Sequence, residues 1–369
     1  MNEKITKKMI YRFDDLLDIR LGEPGLYDGA GNSWIGKIGS AEQWEIKASA
    51  LRDLFNQTLG WQPEIPKDTQ ERVLSETNRG DHILRVVEFS VDRDERICGY
   101  VLIPKILRKP APAMICIPPT KSKSKDWVLG NVDTLEGHQL AYAKHLVQKG
   151  YVTFVYEWIG AGDRAFKGVR EFDTGPFYDK YPQWSARGKD IWDAERVLDV
   201  LSRMSEVDAS RIGAIGHSQG GGISIHLAAV DERVKVAVSS CGLCPQRLSK
   251  NPYNEARNTW WVGRPALRAY CLTGKLFPVD MHENIAMIAP RGVFLSTAIN
   301  DFQYHLNDDS HQLKAGLIQM AGEINKVFAL YHAEDKFKSI LHEGGHGFGD
   351  DQREQAYMFI DSILRRDEE

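Results

Sequence analysis

No run of apolar residues in this chain approaches the roughly 18 to 20 that a membrane-spanning helix needs. The opening stretch, Met-Asn-Glu-Lys-Ile-Thr-Lys-Lys-Met-Ile, has charge where a signal peptide has its apolar centre. Together these absences make a cytoplasmic protein without a membrane partner the expectation. Cysteine is scarce as well. Cys98, Cys116, Cys241, Cys244 and Cys271 are five in number and scattered, which is not a disulfide framework. Nor is there an excess of one charge. Lysine and arginine total 47 against 51 aspartates and glutamates, a formal net charge of −4. That balance argues against nucleic acid as a partner. There is no internal repeat and no low-complexity segment.

What is present is ordinary globular material, 42% apolar and 27% charged. With 369 residues the chain can bury a full core, as two domains or as one large α/β domain with insertions. Residues 41 to 59 carry Trp44, Ile46, Leu51, Leu54, Phe55 and Leu59 mostly at three- and four-residue steps, with Gly60 behind them. This predicts a helix closed by a glycine. Strand-like stretches follow at His82 to Val91 and Cys98 to Ile103. Beyond them strands and helices alternate. The strands are 113–117, 151–156, 211–215, 234–239, 292–298 and 337–342. The helices are 135–149, 190–205, 220–230, 310–331 and 352–365. Such alternation predicts a mostly parallel sheet with helices on both faces. The expected division is a helical extension over 1–80 and a catalytic α/β domain over 81–369. Two connections, 157–188 and 242–290, are far longer than the usual roughly 2 to 6 residues. Both leave the C-terminal end of a strand, the side on which open parallel sheets bind ligands. Tyr253, Trp260 and Trp261 in the second are candidate pocket walls; otherwise they pack on the body as a lid.

Gly216-His217-Ser218-Gln219-Gly220 matches G-x-S-x-G, and its setting matters more than the match. It follows a strand directly and opens a helix. A serine on so tight a turn projects its hydroxyl above the sheet, and the helix start beneath offers amide N–H groups to an oxyanion. The stretches Asp193-Ala-Glu-Arg-Val-Leu-Asp199 and Val207-Asp-Ala-Ser-Arg-Ile-Gly-Ala-Ile-Gly-His-Ser-Gln-Gly-Gly221 resemble the α/β-hydrolases. More narrowly they resemble the esterase branch of dienelactone hydrolase and acetyl xylan esterases. The likeness runs from about residue 59 to the C-terminus. It departs from dienelactone hydrolase at the nucleophile, which is cysteine there and serine here.

The chain order in that fold is serine, acid, histidine. His346, in Gly344-Gly345-His346-Gly347-Phe348 between the last strand and last helix, stands where the family's catalytic histidine sits. Asp301, just past 292–298, is the candidate acid, with Asp308 and Asp309 as alternatives. The oxyanion donors are the amide of Gln219 and one from the loop Ile117-Pro118-Pro119-Thr120-Lys121. Proline has no N–H, so that donor is Thr120 or Lys121. His217 beside the serine is read as a packing or hydrogen-bonding residue.

Three motifs point elsewhere. His342-Glu343-Gly344-Gly345-His346 spells H-E-x-x-H, but that zinc motif needs a helix, and paired glycines oppose one. Cys241-Gly-Leu-Cys244 lacks the fold of a redox pair, and Gly160-Ala161-Gly162 lacks the rest of a dinucleotide fingerprint. The resemblance therefore implies a serine carboxylic-ester hydrolase, with a short acyl (acetyl) ester, small or on an oligosaccharide, as substrate and no metal or cofactor. The alternatives are a peptidase of the same fold and an inactive, hydrolase-like binding protein. Homo-oligomerisation is left open.

Overall fold

The computed structural model describes residues 35–36, 38–66, 68–243, 245, 248, 256, 260–273, 275–301 and 310–365. Helix α1 spans Ala41–Leu59. The Ser40 hydroxyl caps it, accepting from the Gln43 amide at 3.2 Å. Its inner face is Trp44, Ala48, Leu51, Phe55 and Leu59, all buried. Ile46, counted into the apolar stripe, is instead 70% exposed on the opposite face. Gly60 ends the helix at φ 83°, and a Cβ there would lie 2.3 Å from the Gln183 carbonyl oxygen. Only glycine fits both demands.

The sheet begins with β1 (Arg72–Asn78), β2 (His82–Ser90) and β3 (Arg96–Pro104). It continues with β4 (Ala111–Ile117), then the short helices α2 (Ser124–Val128), α3 (Leu135–Leu140) and α4 (Tyr142–Gln148), then β5 (Val152–Tyr156). Helices α5 (Gly175–Lys180) and α6 (Ala186–Leu201) lead to β6 (Val207–His217), α7 (Gln219–Val230) and β7 (Val234–Ser240). The remainder is α8 (Arg268–Thr273), α9 (Met281–Ala286), β8 (Gly292–Ala298), α10 (Ser310–Ala329), β9 (Phe337–His342) and α11 (Asp350–Leu364). The nine strands form one sheet in the order β1-β2-β3-β5-β4-β6-β7-β8-β9. β1, β2, β3 and β5 pair antiparallel; from β5 across to β9 every pair is parallel. Every residue of β4, β5 and β8 is buried, as parallel strands covered on both faces require.

Two elements differ from the sequence reading. β1 lies within the segment assigned to the helical extension, so the sheet starts before residue 81. All seven of its residues are exposed, and an edge strand with no covered face carries no burial pattern to read. The helix expected over 135–149 is two helices, broken at Ala141 with ψ 38°. Tyr142 is buried there and its hydroxyl donates to the Ile117 carbonyl at 2.5 Å. The apolar pattern runs on across the break, so periodicity does not reveal it. No helix among the described residues is long and apolar enough to cross a membrane.

A buried ionic cluster fastens the 157–188 connection to the body. Arg164 pairs with Asp193 of α6 at 2.7 Å and with Glu95, from the β2–β3 turn, at 2.8 Å. Lys189 reaches the same two acids at 2.6 and 2.7 Å. Burial alone would raise the Glu95 carboxyl, but Arg164 and Lys189 beside it hold it down to about 2. Asp190, one position along α6, behaves oppositely. It is fully buried, and burial pushes it up to about 7 despite Arg187 nearby.

Two predictions follow from this packing. Trp44→Ala should cost about 3–5 kcal/mol of unfolding free energy, whereas Ile46→Ala should stay within about 0.5 kcal/mol; denaturant midpoints of the two variants compare them. The second concerns Asp190. Between its ordinary 3.8 and about 7, the native protein keeps a proton that the unfolded chain has released. Stability therefore falls as pH rises through that window. Asp190→Asn mimics the protonated acid, so its stability should fall less than that of the wild type between about pH 4 and pH 7. Parallel declines in urea would show that Asp190 holds no such proton.

Candidate active site

β6 ends at His217, and the next residue turns the chain sharply into α7. Ser218 sits at φ 55°, ψ −122°, a conformation that costs of order 1–3 kcal/mol for a residue with a side chain. Its neighbours show why the turn is glycine-flanked. A Cβ on Gly216 would lie 2.2 Å from the Gly220 carbonyl carbon, and one on Gly220 would lie 2.1 Å from the Ile117 carbonyl oxygen. The turn is fixed from outside as well. The Ser218 amide donates to the Ser240 carbonyl at 2.8 Å, and the Gly222 amide donates back to the Ser218 carbonyl at 3.1 Å.

His346 lies in the loop between β9 and α11, and its Nδ1 is 2.7 Å from Asp301 Oδ2. Asp301 is buried just past the end of β8, while the His346 side chain keeps 16% exposure. The His346 ring packs on that of His217 at 4.7 Å. The structure thus brings histidine and acid together and sets the ring against the residue preceding Ser218. His217 itself is buried, with Nδ1 3.0 Å from Ser240 Oγ. Burial, with the charges of His346 and Lys121 adding to it, holds this ring well below its ordinary value, so it stays neutral. That agrees with its reading as a packing and hydrogen-bonding residue. Asp308 and Asp309, the alternative acids, lie outside the described residues.

Gln219 opens α7, and its side-chain oxygen accepts from Arg187 Nη2 at 3.1 Å. Arg187, on α6, is buried. The contact of Gly220 with Ile117 and Pro118 sets this helix start directly beside the β4 loop. In that loop the Lys121 amide donates to the Pro119 carbonyl at 2.9 Å. Thr120 is exposed. The loop is held at both ends. Trp158 Nε1 donates to the Pro118 carbonyl at 3.1 Å, and the buried Glu157 accepts from the Ser124 hydroxyl and, at 3.0 Å, from the Lys125 amide.

The two long connections meet above this end of the sheet. Phe172 stacks on Trp158 at 5.1 Å, and Trp261 meets Trp158 edge-on at 5.0 Å. The Arg170 guanidinium lies 4.5 Å over the Trp260 ring, and Thr174 donates twice to the Trp260 carbonyl. Trp261 is 3% exposed and packs in the core. Trp260 is half-buried. Tyr253 lies outside the described residues.

The sequence reading passed over two side chains close to this centre. One is Arg187, which reaches Gln219. The other is Cys241, read only as half of a C-x-x-C whose partner Cys244 lies outside the described residues. Cys241 follows β7 at φ 48°. Its sulfur, an Asp301 oxygen and a His346 nitrogen all lie within 4.8 Å of one another. Its place at a strand end, level with Ser218 and Asp301, was the available signal. Burial pushes its thiol up to about 12, so the thiol is protonated at neutral pH and is no rival nucleophile. The H-E-x-x-H motif fails as expected. His342 pairs with Ala298 in the sheet while His346 stands in a loop, so the two never share a helix face.

Comparison with known proteins agrees with this architecture. The Bacillus subtilis (strain 168) protein YtaP, whose name calls it a hydrolase, is 24% identical over 86% of this chain and 100% of its own length. A glucuronoyl esterase from Solibacter usitatus superposes with a TM-score of 0.67 at 20% identity, covering 89% of this chain and 95% of that one. A Bacteroides fragilis protein solved under the name of an acetyl xylan esterase gives 0.63 at 16% identity, over 90% and 83%. The sheet and its helices are those of the α/β-hydrolase fold. The family model described as "Glucuronyl esterase, fungi" matches residues 138–324, just over half of the chain. By that match the chain belongs to the glucuronyl esterase family and is an ester-hydrolysing enzyme of the carbohydrate esterase kind.

Proposed function

We propose that the chain is a serine carbohydrate esterase whose triad is Ser218, His346 and Asp301. The observation that carries the reading is the 2.7 Å contact of His346 Nδ1 with the buried Asp301, formed beside the Ser218 turn. In this mechanism Ser218 Oγ attacks the ester carbonyl while His346 Nε2 takes its proton. Asp301 keeps Nδ1–H in place and stabilises the imidazolium. The amides of Gln219 and Thr120 hold the oxyanion of the tetrahedral intermediate. His346 then gives its proton to the leaving alcohol. Water, activated by the same histidine, releases the acid and restores the serine. No metal or cofactor takes part.

Family membership favours an ester of a sugar acid, with the carbohydrate on the acyl side and a simpler alcohol leaving. The acetyl ester expected from the resemblance puts the sugar on the alcohol side. Benzyl glucuronate against acetylated xylo-oligosaccharides separates the two by kcat/KM, and the sugar-acid ester is expected to be the better substrate.

Two mutational outcomes test the chemistry. Ser218→Ala and His346→Ala should each lower kcat by on the order of 10⁴-fold or more, and the double variant should be no worse than either alone. Additive losses, or activity surviving Ser218→Ala, would falsify the triad. Thr120→Pro deletes the amide donor and should cost about 10²- to 10³-fold in kcat, while Thr120→Ala leaves it near wild type. Equal effects from both would move the donor elsewhere.

A further inference from the structure

We propose that Cys241, Asp301 and His346 form an inhibitory binding site for a soft divalent cation of the Zn²⁺ class. The three offer one sulfur, one carboxylate oxygen and one imidazole nitrogen, all within 4.8 Å of one another. Zinc bonds of about 2.0 to 2.3 Å at tetrahedral angles need such atoms roughly 3.4 to 3.6 Å apart. The His346–Asp301 pair at 2.7 Å has to open slightly and the sulfur has to close.

The backbone already points Cys241 at this spot. It leaves β7 at φ 48°, its amide is tied to the Ser296 carbonyl at 2.8 Å, and its sulfur faces the Gly347 carbonyl at 3.6 Å. That carbonyl belongs to the residue following His346, so the thiol touches the histidine loop itself. Thiolate, imidazole and carboxylate together suit zinc and its neighbours. Magnesium and calcium want oxygen ligands in greater number. Cys241 and Asp301 are buried, which keeps water from competing, while the partly open side of His346 gives entry.

The chemistry of binding explains the inhibition and balances. The Cys241 thiol loses its proton to solvent and forms the metal–sulfur bond. His346 binds the metal through Nδ1, so its single proton moves to Nε2. An Nε2 that carries a proton cannot accept one from Ser218. The cation thus blocks the enzyme without touching the nucleophile. This mode of inhibition rests on the triad reading; the metal site does not.

The experiment therefore has one arm that needs no activity. Co²⁺ added to the full-length wild type should give thiolate-to-cobalt charge-transfer absorption, lost in both Cys241→Ala and Cys241→Ser. Absence of the band, or its persistence in folded variants, overturns the site. In the second arm, Zn²⁺ should inhibit hydrolysis by the wild type, EDTA should reverse it, and Mg²⁺ at the same concentration should do nothing. Cys241→Ala should keep its basal activity and need at least roughly tenfold more Zn²⁺ for the same inhibition. Equal sensitivity of variant and wild type would overturn the inhibitory role. A cobalt band in a protein that hydrolyses no ester would sink the triad reading while leaving the metal site standing.

Discussion

The contact on which this structure depends is the backbone-to-backbone approach of the β6–α7 turn to the end of β4. Gly220 lies so close to Ile117 and Pro118 that no side chain fits between them. That approach sets the start of α7 beside the β4 loop, next to Ser218 at its strained φ of 55°. The strain is held by neighbours that have settled structures of their own. Ser240 ends β7 and takes the Ser218 amide, while Ile117 ends β4 and takes the Tyr142 hydroxyl. A parallel sheet is well suited to this task. Its strands end on one side, so residues far apart in sequence are brought to one edge of the sheet, where Ile117 pairs with Gly216, His217 with Ser240 and Ser240 with Ser296.

The long connection after β5 does more than enlarge the chain. Glu157 and Trp158, its first residues, both reach back to the β4 loop and fix the stretch that carries Thr120. Further along, Arg164 ties the connection to α6 and to the β2–β3 turn through buried ion pairs. Such pairs contribute modestly to net stability once desolvation is counted, but losing one partner strands the others as buried charges. They act as a register device that holds the connection against α6 and the β2–β3 turn.

Much of this was legible in the sequence because parallel strands write their burial plainly. Gly292–Ala298 and Phe337–His342 were placed to the residue, and the G-x-S-x-G segment was placed on its strand-to-helix turn. Asp301 and His346, singled out by chain order as acid and base of the proposed triad, each stand just past a strand end and lie 2.7 Å apart. Exposed and irregular parts were silent. β1 has polar and apolar residues with no covered face to sort them. Ile46 matched a helical step yet faces solvent, because a single apolar residue off the stripe is indistinguishable from one on it. The C-x-x-C reading drew attention to the spacing of Cys241 and away from its place at a strand end, which is the property that matters.

Cys241 also exposes a general tension in such a site. The histidine must be held by a buried acid on one side and stay open to the serine on the other. Packing that keeps water from the acid requires small, poorly hydrated groups nearby, and the Cys241 thiol, donating to the Gly347 carbonyl at 3.6 Å, fills that place. The same softness is what makes the thiol a ligand, with Asp301 and His346, in the proposed metal site. A hydroxyl at position 241 would remove the sulfur ligand but would place a strong donor beside Asp301, competing with His346 for the carboxylate. The arrangement therefore keeps Asp301 buried, and on the proposed metal site it does so at the cost of sensitivity to soft cations. That exchange follows from the positive φ after β7 and the proximity of Gly347, not from the chemistry of ester hydrolysis.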